Sequence, residues 1–241
     1  MTAIEWTDTT WNPVTGCTKI SPGCDNCYAE RFSNRFKGVL NHPFEQGFEL
    51  TLRPERLEQP LSWKKPRMVF VNSMSDLFHK DIPKRFIDQV FEVMEATPHH
   101  TYQVLTKRSS SMRKYVNERY RSSRCPGHIW LGVSVETKQQ LSRVDHLRES
   151  NALIRFISAE PLLGPLTDLC LDNVEWVIVG GESGPRARPM DEEWALEILD
   201  ICAEANVAFF FKQWGGIRPK SNGRTLAGQQ WNQFPASVAY A

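Results

Sequence analysis

Short apolar runs alternate with longer segments of helical periodicity from residue 68 onward. The runs are rich in β-branched and aromatic residues and are almost continuously apolar, which is typical of parallel strands covered on both faces. This alternation predicts six parallel strands, at residues 68–72, 102–106, 129–135, 154–159, 174–180 and 207–212.

The segments between these strands have helical patterns. The first, residues 83–96, begins at a proline and carries an apolar stripe at Phe86, Ile87, Val90, Phe91 and Met94. A stripe at this spacing is typical of a helix that packs on a sheet. Further helices are predicted at residues 109–120, 137–150 and 191–205. Repeated strand–helix–strand units form right-handed crossovers, so the pattern predicts an α/β fold with a parallel sheet that is either open or curled toward a barrel.

Upstream of residue 68 the pattern is less regular. A short strand is predicted at residues 10–16, because the edge of a sheet tolerates a proline. A helix is predicted at residues 25–37, where aromatic residues recur every four positions. Residues 38–67 form an inserted segment with one helix around 54–63, and residues 213–241 form a loop-rich closing segment. We expect residues 1–241 to be a single domain, since α/β barrels commonly have this length.

Composition and charge narrow the class of protein. The chain has 241 residues and a formal net charge of +1, so no overall basic excess indicates nucleic-acid binding. Residues 107–124 are the densest basic stretch, which is either a solvated helix face or a track for phosphates. No apolar run of ~18 residues or more occurs, and the amino terminus is charged. We therefore expect a cytoplasmic protein without a membrane partner.

Three of the six cysteines lie in one short segment. Cys17, Cys24 and Cys27 have the spacing Cys-x6-Cys-x2-Cys and are followed at once by Tyr28. In a reducing compartment such thiols are metal ligands more often than disulfides. Three thiolates on a 4Fe-4S cluster leave one iron open to a small molecule. The alternatives are a zinc site completed by a histidine, His42 or His79, and a purely structural group of thiols.

Polar residues follow each predicted strand. In parallel α/β folds the functional groups lie where the carboxyl ends of the strands open into loops. The candidates are Asn72, Ser73, Asp76, Lys107, Arg108, Ser134, Glu136, Glu160, Gly181, Glu182, Lys212, Gln213 and Trp214. Single carboxylates here are often helix caps, but Glu is a poor N-cap, so Glu136, Glu160 and Glu182 together predict a shared polar pocket. Lys107 and Lys212 either bind an anion or pair with these glutamates.

A cysteine loop after the first strand of such a fold, with Tyr28 directly after its last cysteine, resembles the radical S-adenosylmethionine superfamily. The resemblance implies a partial (β/α)6-type, TIM-like barrel whose 4Fe-4S cluster binds the amine and carboxylate of S-adenosylmethionine. An electron donor would drive reductive cleavage, and the resulting 5′-deoxyadenosyl radical would abstract hydrogen from a substrate. Two features depart from the superfamily. Its usual first cysteine gap is shorter, and its Gly-Gly-Glu follows the second strand, whereas here that motif stands at residues 180–182.

The whole chain is also similar to a phage-associated family with a three-cysteine motif and unknown function. The similarity covers residues from about 4 to about 235, in the stretches 11–17, 24–29, 71–78, 105–108, 130–136, 158–163, 180–184 and 212–215. This resemblance supports the fold and the cofactor, and it leaves the substrate unidentified. The phage association adds nucleic acid or its precursors to the open substrate classes.

Combined with position along the strands, these resemblances predict a role for each candidate residue. The cluster would be held by Cys17, Cys24 and Cys27, and S-adenosylmethionine by Asn72, Ser73, Asp76, Ser134, Glu136, Gly181 and Glu182. Catalytic groups facing the substrate would be Lys107, Glu160 and Lys212, with Arg108, Gln213 and Trp214 as further substrate contacts. Trp214 would help to exclude water from a reactive radical.

Two other classes of function remain open from the residues alone. The first is a zinc-binding interaction module without enzymatic activity, which would bind nucleic acid or protein and use the basic stretch near residues 108–124. The second is a barrel hydrolase with paired carboxylates such as Glu136 and Glu160, in which the cysteines are only structural. This second class predicts an activity that survives loss of the cysteines.

Overall fold

A parallel seven-stranded sheet, curled into a half-barrel, forms the centre of the protein in a computed structural model that describes residues 4–218 and 220–236. Its strand order is β1-β4-β5-β6-β7-β8-β9, and every neighbouring pair is parallel. The strands are β1 (Thr9–Trp11), β4 (Met68–Val71), β5 (Thr101–Thr106), β6 (Ile129–Ser134), β7 (Arg155–Ala159), β8 (Trp176–Gly180) and β9 (Ala208–Gln213). The predicted α/β partial barrel of parallel strands is confirmed.

Except between β7 and β8, where residues 160–175 contain no helix, helices connect successive strands of the sheet. These are α2 (Lys84–Ala96), α3 (Ser109–Arg119), α4 (Ser142–Arg148) and α5 (Glu192–Glu204), and a shorter helix, α1 (Tyr28–Asn34), follows the cysteines. The apolar stripe predicted for α2 is fully buried. It belongs to one large cluster with strand residues such as Val69 and Val104, so the helices cover one face of the sheet.

The other face of the sheet carries a separate aromatic cluster. Successive residues of a strand point to opposite faces, and here the alternate positions include Phe70, Trp130, Phe156, Trp176 and Phe210, which pack together with Trp6. At Gly132 this packing leaves no room for a side chain, since a Cβ atom would lie 2.5 Å from the Phe156 ring. The almost continuous apolar pattern of the strands therefore reflects helices on one face and an aromatic plug in the half-barrel on the other.

The predicted strand at residues 10–16 is interrupted. β1 ends at Trp11, and a second short strand, β2 (Val14–Thr15), pairs antiparallel with β3 (Thr51–Leu52) outside the main sheet. Pro13 lies between the two strands and has no N–H to donate. Its carbonyl instead accepts the backbone N–H of Arg53 at 2.8 Å. The inserted segment is thus anchored beside the first strand.

Three helix predictions need correction. The helix predicted around residues 54–63 is two 3-10 helices, Pro54–Arg56 and Gln59–Ser62, because Pro60 would have to lie inside the predicted helix, where it lacks a hydrogen bond and clashes with the preceding turn. The helix predicted at 25–37 is only α1 (Tyr28–Asn34). The one predicted at 137–150 is a 3-10 turn, Lys138–Gln140, followed by α4.

The closing segment is loop-rich, as predicted. After β9, residues 214–218 and 220–236 contain no helix or extended strand, and isolated bridges such as Phe210 with Asn232 and Ser183 with Gly216 fasten them to the sheet. Residues 219 and 237–241 of the predicted segment lie outside the described residues. In the described part of the chain, no helix has the length and apolar character needed to cross a membrane.

Candidate functional site

The carboxyl ends of the strands open into a cavity of about 650 Å³. The alternation of side chains along each strand explains how polar residues come to line the cavity. Two positions beyond the aromatic plug, the side chains that point into the half-barrel become polar. Phe70 is followed by Asn72, Phe156 by Ser158 and Phe210 by Lys212, and these polar residues line the cavity. The half-barrel is therefore closed at one end by aromatic rings and opens at the other into a cavity that polar strand-end residues and apolar side chains line together.

All but two of the predicted site residues line this cavity. They are Cys17, Cys24, Cys27, Asn72, Ser73, Asp76, Lys107, Arg108, Ser134, Glu160, Gly181, Glu182, Lys212 and Gln213. Glu136 is fully buried behind the wall. The Trp214 ring lies against Phe211, with centroids 4.9 Å apart, and its Nε1 donates to Thr225 O at 2.8 Å. The structure thus brings the strand ends and the cysteines together around one chamber.

The three cysteines are free thiols, partly exposed, on the rim of the cavity. Cys17 Sγ lies 3.5 Å from Arg108 Nη1, and Cys24 Sγ lies 3.9 Å from Ser21 Oγ. Cys27 occupies the residue before α1. Among residues 4–218 and 220–236, no three Cys, His, Asp or Glu side chains converge to hold a single metal ion. A four-iron cluster makes a different demand, because each thiolate binds its own iron and the donors surround a volume.

Burial and nearby donors act in opposite directions on these thiols. Burial raises the pKa of Cys17, and the Arg108 guanidinium partly offsets this effect. Burial likewise raises the pKa of Cys27, and hydrogen bonds from the backbone N–H groups of Glu30 and Ala29 partly offset this effect. Because metals bind thiolates, ligation at these positions releases protons.

Neither candidate histidine joins the cysteines. His79 is buried, with Nε2 2.8 Å from Thr18 Oγ1 and Nδ1 3.3 Å from the backbone N–H of Asp81. The His42 ring stacks on Phe36 with centroids 3.9 Å apart. Within the residues that the structure describes, the Cys3His arrangement expected for zinc is therefore not assembled.

Asp76 connects the second strand end to the cysteine loop, which we define as residues 17–27. Its Oδ1 accepts the hydroxyl of Thr106 at 2.7 Å, and its Oδ2 accepts Arg108 Nη1 at 3.0 Å. The same guanidinium donates from Nη2 to Thr18 O at 3.0 Å and lies beside the Cys17 sulfur. Asp76 also accepts the backbone N–H of Phe78 at 3.0 Å, a local turn contact. Through Arg108 it holds the start of the cysteine loop.

Glu136 holds the middle of the loop. Its fully buried carboxylate pairs with Lys107, accepts Arg143 Nη1 at 2.9 Å and accepts the Ser21 hydroxyl at 2.8 Å. Burial alone would raise the pKa of Glu136, but the Lys107 and Arg143 charges outweigh it and lower the pKa. The loop passes so close that a Cβ atom on Gly23 would overlap the glutamate side chain. A glycine is therefore required at this position.

Glu182 holds the end of the loop. Its Oε2 accepts Asn26 Nδ2 and Arg188 Nε, both at 2.9 Å, and Arg188 Nη2 also donates to Pro22 O at 2.8 Å. Burial opposes ionisation of Glu182, but the hydrogen bonds from Arg188 and Asn26 hold its pKa below the usual range. Three strand-end carboxylates thus fasten successive parts of the cysteine loop.

Glu160 is arranged differently. Its carboxylate pairs with Lys212, both residues line the cavity, and no hydrogen bond between described residues joins this pair to the cysteine loop. The lysine–glutamate pairing considered from the sequence is therefore present for both Lys107 and Lys212. Only the second pair lies with both members on the cavity surface.

Asn72 presents a donor that has no partner among the described residues. The residue is 2% exposed and has a left-handed backbone (φ 57°). Its Oδ1 accepts the backbone N–H of Val14 at 3.2 Å, whereas its buried Nδ2 is unsatisfied within the described residues. Because Asn72 lines the cavity, this amide is suited to donate to an acceptor on a bound ligand.

Sequence reasoning missed the residues that join the strand ends to the loop. For Arg143 the sequence did contain a signal, because this charged residue lies in the buried stripe of α4 with Val144 and Leu147 and therefore requires a buried partner. Arg188 and Asn26 lie in loops without periodicity, and the sequence contains no comparable signal for their pairing with Glu182.

One of the comparisons with known proteins finds a match. The model of the family described as "Protein of unknown function (DUF5131)" matches residues 1–235. No curated protein and no solved structure matches the chain.

Proposed function

The chain belongs to the DUF5131 family, and we propose that it is an iron–sulfur enzyme that uses S-adenosylmethionine. A 4Fe-4S cluster would be held by Cys17, Cys24 and Cys27. The observation that carries this proposal is that three free thiols share the rim of one cavity at the carboxyl ends of the strands. Kinship with the radical S-adenosylmethionine superfamily and with phage proteins is part of the proposal and rests on the resemblance of motifs.

The donor set is compatible with such a cluster. The thiols lie on a loop that three buried or nearly buried carboxylates hold in place, so little ordering of the chain is needed when ligands bind. When bound, the cluster would supply one electron for cleavage of S-adenosylmethionine to methionine and a 5′-deoxyadenosyl radical that abstracts hydrogen from the substrate. Arg108 beside Cys17 would partly neutralise the negative charge of thiolate ligands.

Residues on the cavity surface would bind and orient the organic molecules. Asn72 Nδ2 would donate to an oxygen of S-adenosylmethionine, and the hydroxyls of Ser73 and Ser134 would make further polar contacts. Gly181 also lines the cavity, and the absence of a side chain there accommodates the Trp214 carbonyl, which a Cβ atom would overlap. The roles predicted for Asp76, Glu136 and Glu182 change in this proposal: their oxygens have partners on or beside the cysteine loop, so they position the ligands of the cluster.

The remaining charged pair would face the substrate. Lys212 and Glu160 can exchange or hold a proton at Nζ and the carboxylate, and Gln213 lies next to them along β9. Lys107 is held by Glu136 and lines the same cavity. The aromatic plug below these residues excludes water from the closed end of the half-barrel, which protects a radical from quenching.

The structure gives less support to the alternatives. A hydrolase with Glu136 and Glu160 as its carboxylate pair requires both groups on the cavity, but Glu136 is fully buried and paired with Lys107 and Arg143. A zinc module would have to recruit a fourth ligand other than His42 or His79 in their present positions.

The direct test is formation of 5′-deoxyadenosine. The protein is purified without oxygen, reconstituted with iron and sulfide, reduced with dithionite and incubated with S-adenosylmethionine, and the product is measured by mass spectrometry. We expect 5′-deoxyadenosine from the natural protein and from Cys170→Ala, since Cys170 lies outside the cavity. The variant with Cys17, Cys24 and Cys27 all changed to alanine should form none. No product from the natural protein, or equal product from both variants, would contradict the proposal.

A further inference from the structure

A second depression, of about 600 Å³, lies on the other side of α1 from the cavity. We call it the arginine groove: Arg31 lines it from α1, Arg35 from the residue that follows α1, and Arg186 from the loop after β8. Lys19, Asn26, Cys27 and Arg31 line both the groove and the cavity. The two spaces therefore meet beside the cysteine loop.

The groove has a cationic excess that the described part of the chain does not neutralise. Its two acidic residues already have partners, Glu30 with Lys19 at 2.9 Å and Asp25 with Arg188 at 3.4 Å. Arg31, Arg35 and Arg186 form no ion pair with any carboxylate in residues 4–218 and 220–236. Arginines that share one depression without counter-charges are suited to bind an anion.

The walls of the groove are held in place. Asn26 Nδ2 bridges the Glu182 carboxylate and the Arg186 carbonyl, each at 2.9 Å, so a nearly buried group fixes the loop that carries Arg186. On the opposite side, Arg31 Nη2 donates to Ser183 O at 3.3 Å. Gly184 has a φ of 131°, and a Cβ atom there would overlap the Arg31 guanidinium. The backbone is shaped to accept this arginine.

We propose that the arginine groove binds a phosphate ester, and that the rest of the same molecule extends past Arg31 into the cavity. Guanidinium groups bind phosphate through two parallel hydrogen bonds, and they stay charged at all working pH values. The phosphate ester can be supplied by a free nucleotide or by a single-stranded nucleic acid, and the test distinguishes these two sources. Its identity as the substrate rests on the proposed function, whereas binding in the groove does not.

The test measures binding with a paired set of charge variants. Fluorescence anisotropy follows a labelled single-stranded thymidine oligonucleotide of about 12 nucleotides, and thymidine 5′-monophosphate and thymidine serve as competitors. The groove variant combines Arg35→Gln with Arg186→Gln. The control variant combines Arg85→Gln with Arg121→Gln, which removes the same charge from exposed positions outside both depressions.

We expect the groove variant to weaken binding about tenfold or more. The salt dependence of its affinity should also decrease by an amount that corresponds to about two phosphate contacts. The affinity of the control variant should stay within about twofold of that of the natural protein. Competition by thymidine 5′-monophosphate but not thymidine would identify a free nucleotide as sufficient. Competition by neither, with binding of the oligonucleotide still dependent on the groove, would identify a nucleic-acid strand. Both outcomes support the inference.

Three results would overturn it: no binding of the oligonucleotide at low salt, unchanged binding by the groove variant, or an equal loss in both double variants. The measurements use cluster-free protein without S-adenosylmethionine, so this inference and the proposed function can fail separately. Groove-dependent binding without 5′-deoxyadenosine would remove only the enzymatic proposal. Formation of 5′-deoxyadenosine with no dependence of binding on the groove would remove only the present inference.

Discussion

Carboxylates at the strand ends fall into two groups that look alike in sequence. Asp76, Glu136 and Glu182 are nearly or fully buried, and each is connected to the cysteine loop through a serine, an asparagine or an arginine. Glu160 pairs with Lys212 on the cavity surface instead. All four follow a parallel strand, where such folds place functional groups.

In the proposed function, this difference gives the two groups of carboxylates separate roles. The buried carboxylates form a scaffold for residues 17–27, because each has an arginine or lysine within ion-pairing distance. Glu136 and Glu182 accept hydrogen bonds from loop residues, and Asp76 is connected to the loop through Arg108. The Glu160–Lys212 pair is partly exposed on the cavity surface, where it is proposed to face the substrate. Substitutions in the first group should therefore affect folding and metal content, and those in the second should affect turnover.

Glu136→Gln should have the largest effect on stability. It removes the charge but keeps the shape, and it leaves Lys107 and Arg143 without their shared carboxylate in a buried site. We expect a loss of about 3 kcal/mol or more in the free energy of unfolding, measured by urea denaturation. The matched variant Glu160→Gln should lose about 1 kcal/mol or less, since its ion pair is partly exposed. Equal losses would mean that the two groups do not differ.

Glu160→Gln should instead reduce turnover. With the fold intact, loss of a group that holds or transfers a proton at the cavity surface should lower the rate about a hundredfold. The readout is substrate-dependent consumption of S-adenosylmethionine, with 5′-deoxyadenosine formation in the absence of substrate as the control for cluster integrity. A rate close to that of the natural protein would mean that Glu160 takes no part in the reaction.

Gly23→Ala tests from the cysteine loop whether the contact with Glu136 holds the loop in place. The added Cβ atom overlaps the Glu136 side chain, so the loop and its carboxylate must separate. We expect a destabilisation of about 2 kcal/mol and reduced incorporation of iron. Gly164→Ala is the control, because its Cβ atom would meet only Thr137 at 4.0 Å. Identical unfolding curves and iron contents for both variants would show that the loop is not fastened at this point.

The pH dependence of stability should show the smallest effect. Glu136 and Glu182 have lowered pKa values, so they stabilise the fold above the pKa of the unfolded chain, and this contribution is lost as the pH falls through their folded values. Urea midpoints should therefore decrease below about pH 4. Glu182→Gln should flatten this decrease. An unchanged slope in that variant would mean that Glu182 is not stabilised as a carboxylate.

The sequence was sufficient to predict the architecture and most of the rim. Periodicity and strand composition locate the parallel strands, and the strand-end rule then collects Asn72, Lys107, Glu160 and Lys212 in one cavity. The difference in partners among the carboxylates was not predictable. It depends on residues in loops without periodicity, such as Arg188, and on residues far away in the chain. The amide nitrogen of Asn72, which has no partner among the described residues, likewise becomes evident only when burial and hydrogen bonding are known.

The central claim is that the fastened loop presents Cys17, Cys24 and Cys27 to a cluster with an open iron. The most direct measurement is electron paramagnetic resonance of the anaerobically reconstituted, reduced protein, recorded with and without S-adenosylmethionine. The account predicts the spectrum of a reduced 4Fe-4S cluster that changes when S-adenosylmethionine is added, with about four irons per chain. A silent spectrum from protein that contains stoichiometric zinc would contradict it.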